Sequence, residues 1–276
     1  MINYSEYPID AASTSEYAAM IKICKEQLRV QGFVSLKNFL DSRCVSSLVS
    51  SILDLEQLGV GFYSTERHNV FLEDNAKESS STDQDAKSLH PRHIQLKSSK
   101  LLINANDLVR KAPELDILFQ STAFLHFIRD VLQLNLYPSS DEYGKYYANI
   151  FNKGDGLNFH FDRSEFSISL ILQPADDGGR FQFVPNSREI VEGWSEMPLN
   201  TKDLRSAIAA SSSKYTLEEP DLAAGDLYLF RGQNSLHRVS EITKGTRINV
   251  ILTFNTEPDV MLNNYTLQKF FGVTRS

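Results

Sequence analysis

The sequence predicts a mostly β protein, an antiparallel jelly roll with flanking helices, and three observations carry that expectation. Short runs rich in β-branched and aromatic residues recur in the second half of the chain, at 146–151, 166–173, 180–184, 226–230 and 247–254. The separators KGDG at 153–156, DDGG at 176–179, AAGD at 223–226 and KG at 244–245 consist of residues that tolerate tight turns and positive φ. Helices of crossover length are missing between most of these runs, which argues for antiparallel pairing in a sandwich or jelly roll.

Taken in order, residues 13–30 place Tyr17, Met20, Ile21, Cys24 and Leu28 at helical spacing, with Thr14 or Ser15 as the N-cap. Residues 32–40 (GFVSLKNFL) alternate as a strand, and Asp41 or Ser42 caps a second helix running to about Gln57. Residues 1–60 thus read as helical N-terminal support. Residues 73–100 are rich in Ser, Asp and Lys without a sustained period, the pattern of a polar surface loop that is either a linker or a lid. A helix follows at 124–134, with His126 as a packing residue, and 202–210 is one helical insertion among the strands. The 276 residues form one domain without internal repeats, with the jelly-roll catalytic core at 140–256.

Composition narrows the partners. Hydrophobic residues make up 41% and charged residues 23%, enough to bury a sizeable core. A net charge of −7 and a pI near 5.4 repel polyanions, so no nucleic acid is expected. Cys24 and Cys44 are too few for a disulfide framework or a cysteine zinc site, which points to a reducing compartment. The opening MINYSEYPIDAASTSEY lacks a basic-then-apolar signal, and no run approaches the ~18 apolar residues of a membrane span. A cytoplasmic location without membrane contact is the expectation, with the oligomeric state left open.

The chemistry sits in LNFHFDRSEF, where His160 and Asp162 lie two residues apart and so share one face of an extended strand. His237, in GQNSLHRVSEI just after the strand LYLF, supplies a third ligand. Two histidines and one carboxylate leave three octahedral positions open, which suits Fe(II); zinc with a bound water is the competing metal. Arg247 opens the strand RINVILTF ten positions beyond His237, where a guanidinium can clamp a carboxylate of 2-oxoglutarate in a bidentate fork. His90 and His93 flank Pro91 and Arg92 without a carboxylate at ligand spacing and read as exposed loop histidines.

The full pattern, H-x-D after a KGDG turn, then H-R-V after G-D-L-Y-L-F, then G-T-R-I, resembles the Fe(II)/2-oxoglutarate-dependent oxygenase superfamily. The resemblance implies a double-stranded β-helix (cupin-like) core, with Fe(II), 2-oxoglutarate as co-substrate, and O2. It also implies decarboxylation to succinate and CO2 coupled to hydrogen abstraction from a substrate. Asn149, in Asn149-x-Phe151, stands where many members place a polar residue beside the co-substrate; a solvent-facing strand residue is the alternative.

The segments ERHNVFLED at 66–74 and HFDRSEFSISLILQPADDGGRFQFVPNSRE at 160–189 resemble the small radical halogenases and hydroxylases of free amino acids, over most of residues 60–256. In the halogenases of that group a small residue replaces the metal carboxylate. Asp162 fills the position here, which implies oxygen insertion or dehydrogenation. Lysine-acting members resemble this chain less closely at two positions, where Leu157 replaces a histidine and Arg163 an acidic residue. Arg163 favours a carboxylate-bearing or neutral substrate; its alternative role is a strand-end ion pair.

The expected substrate contacts are Asn69, Glu142, Arg163 and Asn255, and the expected substrate is a small amino-acid-like or carboxylate-bearing metabolite. Two rival functions are weighed against that reading. A nucleic-acid oxidative demethylase shares N-x-aromatic and H-x-D, but the acidic pI and the lack of a basic, aromatic stripe oppose it. A non-catalytic jelly-roll binding module has no use for His160, Asp162, His237 and Arg247 together.

Overall fold

The computed structural model describes residues 1–73, 90–198, 200–211 and 213–275. The chain opens with α1 (Ser15–Gln31), β1 (Phe33–Leu36), α2 (Ser42–Gln57), β2 (Phe62–His68) and β3 (Leu96–Asn104), followed by α3 (Ala105–Leu108), α4 (Pro113–Phe119) and α5 (Thr122–Leu132). The strand-rich part runs through β4 (Tyr137–Pro138), β5 (Tyr146–Phe151), β6 (Leu157–His160), β7 (Ser167–Gln173), β8 (Asp177–Gly178) and β9 (Phe181–Val184). After α6 (Arg188–Glu192) and α7 (Thr201–Ser211) come β10 (Leu227–Phe230), β11 (Leu236–Val239), β12 (Ile242–Lys244), β13 (Arg247–Leu252) and β14 (Phe254–Asn255). A short α8 (Asn264–Thr266) runs into a π-helical turn at Leu267–Phe271.

Local chemistry sets the helix ends. Thr14 caps α1 by accepting the Tyr17 N–H, and Gly32 at φ +66° ends it by donating to the Leu28 carbonyl. Asp41 caps α2 through the Cys44 N–H at 2.9 Å, and Ser121 caps α5 through the Phe124 N–H. The apolar stripe of α1 buries Tyr17, Ile21, Cys24 and Leu28, which is what the sequence spacing requires.

The main sheet has seven antiparallel strands in the order β1-β10-β7-β13-β5-β3-β2. Its two faces follow residue parity. Ala148 and Ile150 on β5, Leu170 and Leu172 on β7, and Ile248 and Val250 on β13 enter one core with residues of α1, α2, α4 and α5. The alternate residues Tyr147, Asn149, Phe151, Arg247, Asn249 and Ile251 line a cavity instead. A three-stranded sheet, β6-β11-β9, forms the facing layer. Phe159, Phe161, Val184 and Leu236 of this region pack with Val191, Leu204 and Ile208 from α6 and α7. The result is the expected two-sheet β core with flanking helices.

Three expectations are corrected. The polar stretch 73–100 is not one loop. Residues 74–89 lie outside the described residues, His90–His93 form a turn, and β3 begins at Leu96, paired with β2 along seven residues. The sheet also extends beyond 140–256, because β1, β2 and β3 complete it. His126 lies exposed on α5 and has no packing role. Among the described residues, no helix is long and apolar enough to cross a membrane.

Candidate active site

His160 and His237 face one another because β6 and β11 pair in that register, and their rings lie 4.2 Å apart. Beyond the end of β6 the chain stays anchored, with the Phe161 N–H on the Val70 carbonyl (2.7 Å) and the Asp162 N–H on Gly232 (3.0 Å). Asp162 therefore returns its carboxylate to the side of His160. Asp162 Oδ1 lies 3.5 Å from His160 Nε2 and 3.3 Å from His237 Nε2, and one ligand atom from each residue falls within 4.8 Å of the others.

Each group is held in place by a partner of its own. His160 Nδ1 lies 2.7 Å from the Asn158 carbonyl and His237 Nδ1 lies 2.9 Å from the Ser235 carbonyl. A carbonyl only accepts, so both Nδ1 atoms carry a proton and both Nε2 atoms face Asp162. Ser167 Oγ donates to Asp162 Oδ2 at 2.7 Å, fixing the oxygen that does not face the histidines. A β-carbon at Gly232 would collide with the Asp162 carboxylate, so only glycine fits beside it. Burial alone would raise Asp162, but His237 and His160 hold its carboxyl well below the usual range. Burial, reinforced by His237, lowers His160. An ionised carboxylate and neutral imidazoles are the states that bind a divalent cation.

A second group of residues lies on β5 and β13. Arg247 is 3% exposed, its Nη1 donates to Asn249 Oδ1 at 2.6 Å, and among the described residues no carboxylate lies within ion-pair distance of it. Asn249 Nδ2 in turn donates to Ser169 Oγ at 3.0 Å. Beside it in register, Asn149 keeps a buried side-chain oxygen with no hydrogen-bond partner. A buried cation without an anion and an orphaned amide oxygen are both costly unless a ligand completes them. An anionic, oxygen-rich co-substrate next to a metal meets that need, so these residues fit iron and 2-oxoglutarate.

The cavity that joins both groups has a volume of about 500 Å3 and reaches from the triad to β2, β3 and the C-terminal π-helical turn. That is room for a small molecule. The expected substrate contacts fall in different places. Arg163 is exposed at the cavity edge, where its Nη2 donates to the Leu72 carbonyl at 2.7 Å, and Asn255 is half-buried in the lining. Asn69 also lines the cavity, but its amide is committed to the loop. Its Nδ2 donates to the Arg92 carbonyl, and its Oδ1 accepts from the Phe71 and Glu73 N–H groups. Glu142 is a correction, since it is exposed and does not line the cavity. Its neighbour Asp141 turns inward to accept from the Tyr143, Gly144 and Leu262 N–H groups and from Arg275, which turns Glu142 out.

Sequence reasoning missed Glu66, Lys100, Tyr147, Tyr228 and Lys269, all in the lining. For the first two the signal was a polar alternation in place of the usual apolar one. In FYSTERH and LKSSKLLIN every second residue, Ser64, Glu66 and His68, then Ser98, Lys100 and Leu102, faces the cavity.

The fold is shared with solved structures of low sequence identity. The non-haem alpha-ketoglutarate-dependent epimerase SnoN from nogalamycin biosynthesis matches with 13% identity over 86% of this chain and 81% of that one, at a TM-score of 0.53. A prolyl hydroxylase from Trichoplax adhaerens, solved with a hypoxia-inducible factor peptide fragment, matches with 16% identity over 84% and 87%, at 0.52. An oxidoreductase of the 2OG-Fe(II) oxygenase family from Burkholderia pseudomallei matches with 13% identity over 86% and 91%, at 0.50. No curated protein matches the sequence.

Fold, triad and family match together define the class, an enzyme of the Fe(II)/2-oxoglutarate oxygenase type. Within it, residues 17–269 match the family described as HalD, Halogenase D, and the chain belongs to that family.

Proposed function

We propose that this enzyme oxidises a C–H bond of a small amino-acid-like or carboxylate-bearing metabolite, releasing succinate and CO2. His160 Nε2, Asp162 Oδ1 and His237 Nε2 hold Fe(II), and Arg247 with Asn149 holds 2-oxoglutarate. When bound, iron with 2-oxoglutarate and O2 supplies the oxidant that removes a hydrogen atom from the substrate. The protein positions and shields. Asn158 and Ser235 carbonyls set the histidine tautomers, Ser167 orients Asp162, and Arg247 neutralises the buried carboxylate of the co-substrate. The rings of Phe181 and Phe230, 5.9 and 4.8 Å from that of His237, keep water from that side. Arg163 and Asn255 contact the substrate at the cavity edge.

The observation that carries the reading is Asp162. Its carboxylate stands between both imidazoles, so the third protein ligand is present and oxygen insertion or dehydrogenation is favoured over halogen transfer. The test is anaerobic addition of Fe(II) and then 2-oxoglutarate to metal-free protein, watching for the weak visible band of iron bound to a keto acid. Wild type develops the band, while Asp162→Ala and Arg247→Ala weaken or lose it. Bound iron without a band refutes the reading, and a chlorinated product from assays with chloride refutes its oxygenation half.

A further inference from the structure

The wall of the cavity formed by β2 and β3 carries charge that the proposed iron and co-substrate sites leave unused. Glu66 and Lys100 project from the same face of this antiparallel pair, since Glu66 stands opposite Ser98 and Ser64 opposite Lys100. Lys100 is partly buried, its ammonium 5.8 Å from the centre of the Tyr147 ring. Among the described residues it has no hydrogen-bond acceptor and no carboxylate at ion-pair distance, although Glu66 and Asp162 are near enough to favour its charge. Glu66 presents the opposite deficit. One oxygen lies 3.7 Å from Lys269 Nζ, and the other is buried without a partner.

The charges of the lining show what is missing. By the proposed function Asp162 serves the metal and Arg247 the co-substrate; Glu73 pairs with Arg92, Lys269 lies against Glu66, and Arg67 and Arg163 are exposed to solvent, Arg163 donating to the Leu72 carbonyl. The ammonium of Lys100 is left facing the cavity without an anion. A buried cation in that position is completed by a ligand anion, and a buried carboxylate oxygen without a donor is completed by an N–H or O–H group.

We infer that Lys100 and Glu66 are the specificity-determining pair of this enzyme, Lys100 binding the carboxylate of the substrate and Glu66 accepting a hydrogen bond from an amino or hydroxyl group of the same molecule. The pair sharpens the amino-acid-like or carboxylate-bearing reading of the substrate, since it selects a free acid over its ester and a free amino or hydroxyl group over a blocked one. Lys269 steadies Glu66 and reaches it from the π-helical turn, so the C-terminal segment shares in recognition. This inference rests on the oxygenase reading of the same cavity.

The test uses full-length enzyme loaded anaerobically with Fe(II) and 2-oxoglutarate. The probes are the twenty common L-amino acids and their 2-hydroxy analogues, each paired with its methyl ester and, for the amino acids, its N-acetyl derivative. Perturbation of the visible band reports binding, and succinate release in air reports turnover. At least one free acid perturbs the band and its ester binds at least tenfold more weakly. Lys100→Met erases the preference for acid over ester, Lys100→Arg restores it in part, and Glu66→Gln erases the preference for the unacetylated amine. No response to any acid, equal response to acid and ester, or a Lys100→Met that binds 2-oxoglutarate more weakly and keeps the acid preference overturns the inference. A wild-type enzyme that forms no band overturns the oxygenase reading together with this one, whereas a band without discrimination overturns this one alone.

Discussion

The two faces of the seven-stranded sheet are made by the same strands and do opposite work. On the helix side Ile150, Leu170 and Ile248 are fully buried among apolar neighbours. On the cavity side, one residue along in each strand, stand Asn149, Ser169 and Arg247, polar groups that are buried and in part incompletely bonded. The first face contributes stability through area removed from water, and the second costs stability because Asn149 and Arg247 are incompletely paired. Adjacent residues such as Asn149 and Ile150 should therefore answer to different measurements.

The largest effect falls at the metal, where replacing Asp162 by Ala should weaken Fe(II) binding by more than about 100-fold, since even outer partners of metal ligands are worth 10 to 100-fold. Equilibrium dialysis against Fe(II) or Co(II) measures it. Next, Ile150→Ala should destabilise the fold by about 2–5 kcal/mol in urea unfolding, by loss of buried area and the cavity left behind. Asn149→Ala, one residue away, should leave stability almost unchanged and weaken 2-oxoglutarate about tenfold. Equal stability losses at both positions would break the comparison. Ser167→Ala should lower metal affinity about tenfold, because Asp162 Oδ2 loses its donor.

The smallest effect is a gain. Burial pushes the Lys100 ammonium down to about 8, with Glu66 and Asp162 opposing that fall. The unfolded chain, with lysine near its ordinary value, keeps the proton to higher pH than the folded protein does. Below pH 8 both states are charged and the folded state bears the full desolvation cost. Lys100→Met should thus be more stable there by roughly 0.5–2 kcal/mol, a gap that closes as pH rises from 8 toward 10.5. Thermal unfolding at pH 7 and pH 10 checks the sign.

The grouping of His160, Asp162 and His237 was legible in sequence because its signals are local. H-x-D keeps His160 and Asp162 close in the chain, although β6 ends at His160 and the Phe161 and Asp162 backbone hydrogen bonds, not strand alternation, bring the carboxylate to the same side; His237 follows the strand LYLF and Arg247 opens RINVILTF. The alternation in RINVILTF matches the two faces of β13, with Arg247 and Asn249 on the cavity side and Ile248 and Val250 on the helix side. The opposite wall was hidden for a physical reason. In LKSSKLLIN, Lys97, Ser98, Ser99 and Lys100 supply no apolar alternation, because the face that would be apolar in a plain strand is polar here where it lines the cavity. Glu142 shows the converse error, as closeness in sequence to a motif says nothing about which way a turn residue points.

The contact between Gly232 and Asp162 also constrains how this enzyme can change over generations. While the carboxylate is present, every substitution at 232 is closed, and the position is fixed by its neighbour rather than by its own backbone. Shortening residue 162 would lift that constraint and let position 232 drift to larger side chains. Once such a change had settled, restoring Asp162 would meet a clash in place of a vacancy. The order of mutation would then act as a ratchet, easy to turn away from the present ligand set and hard to turn back.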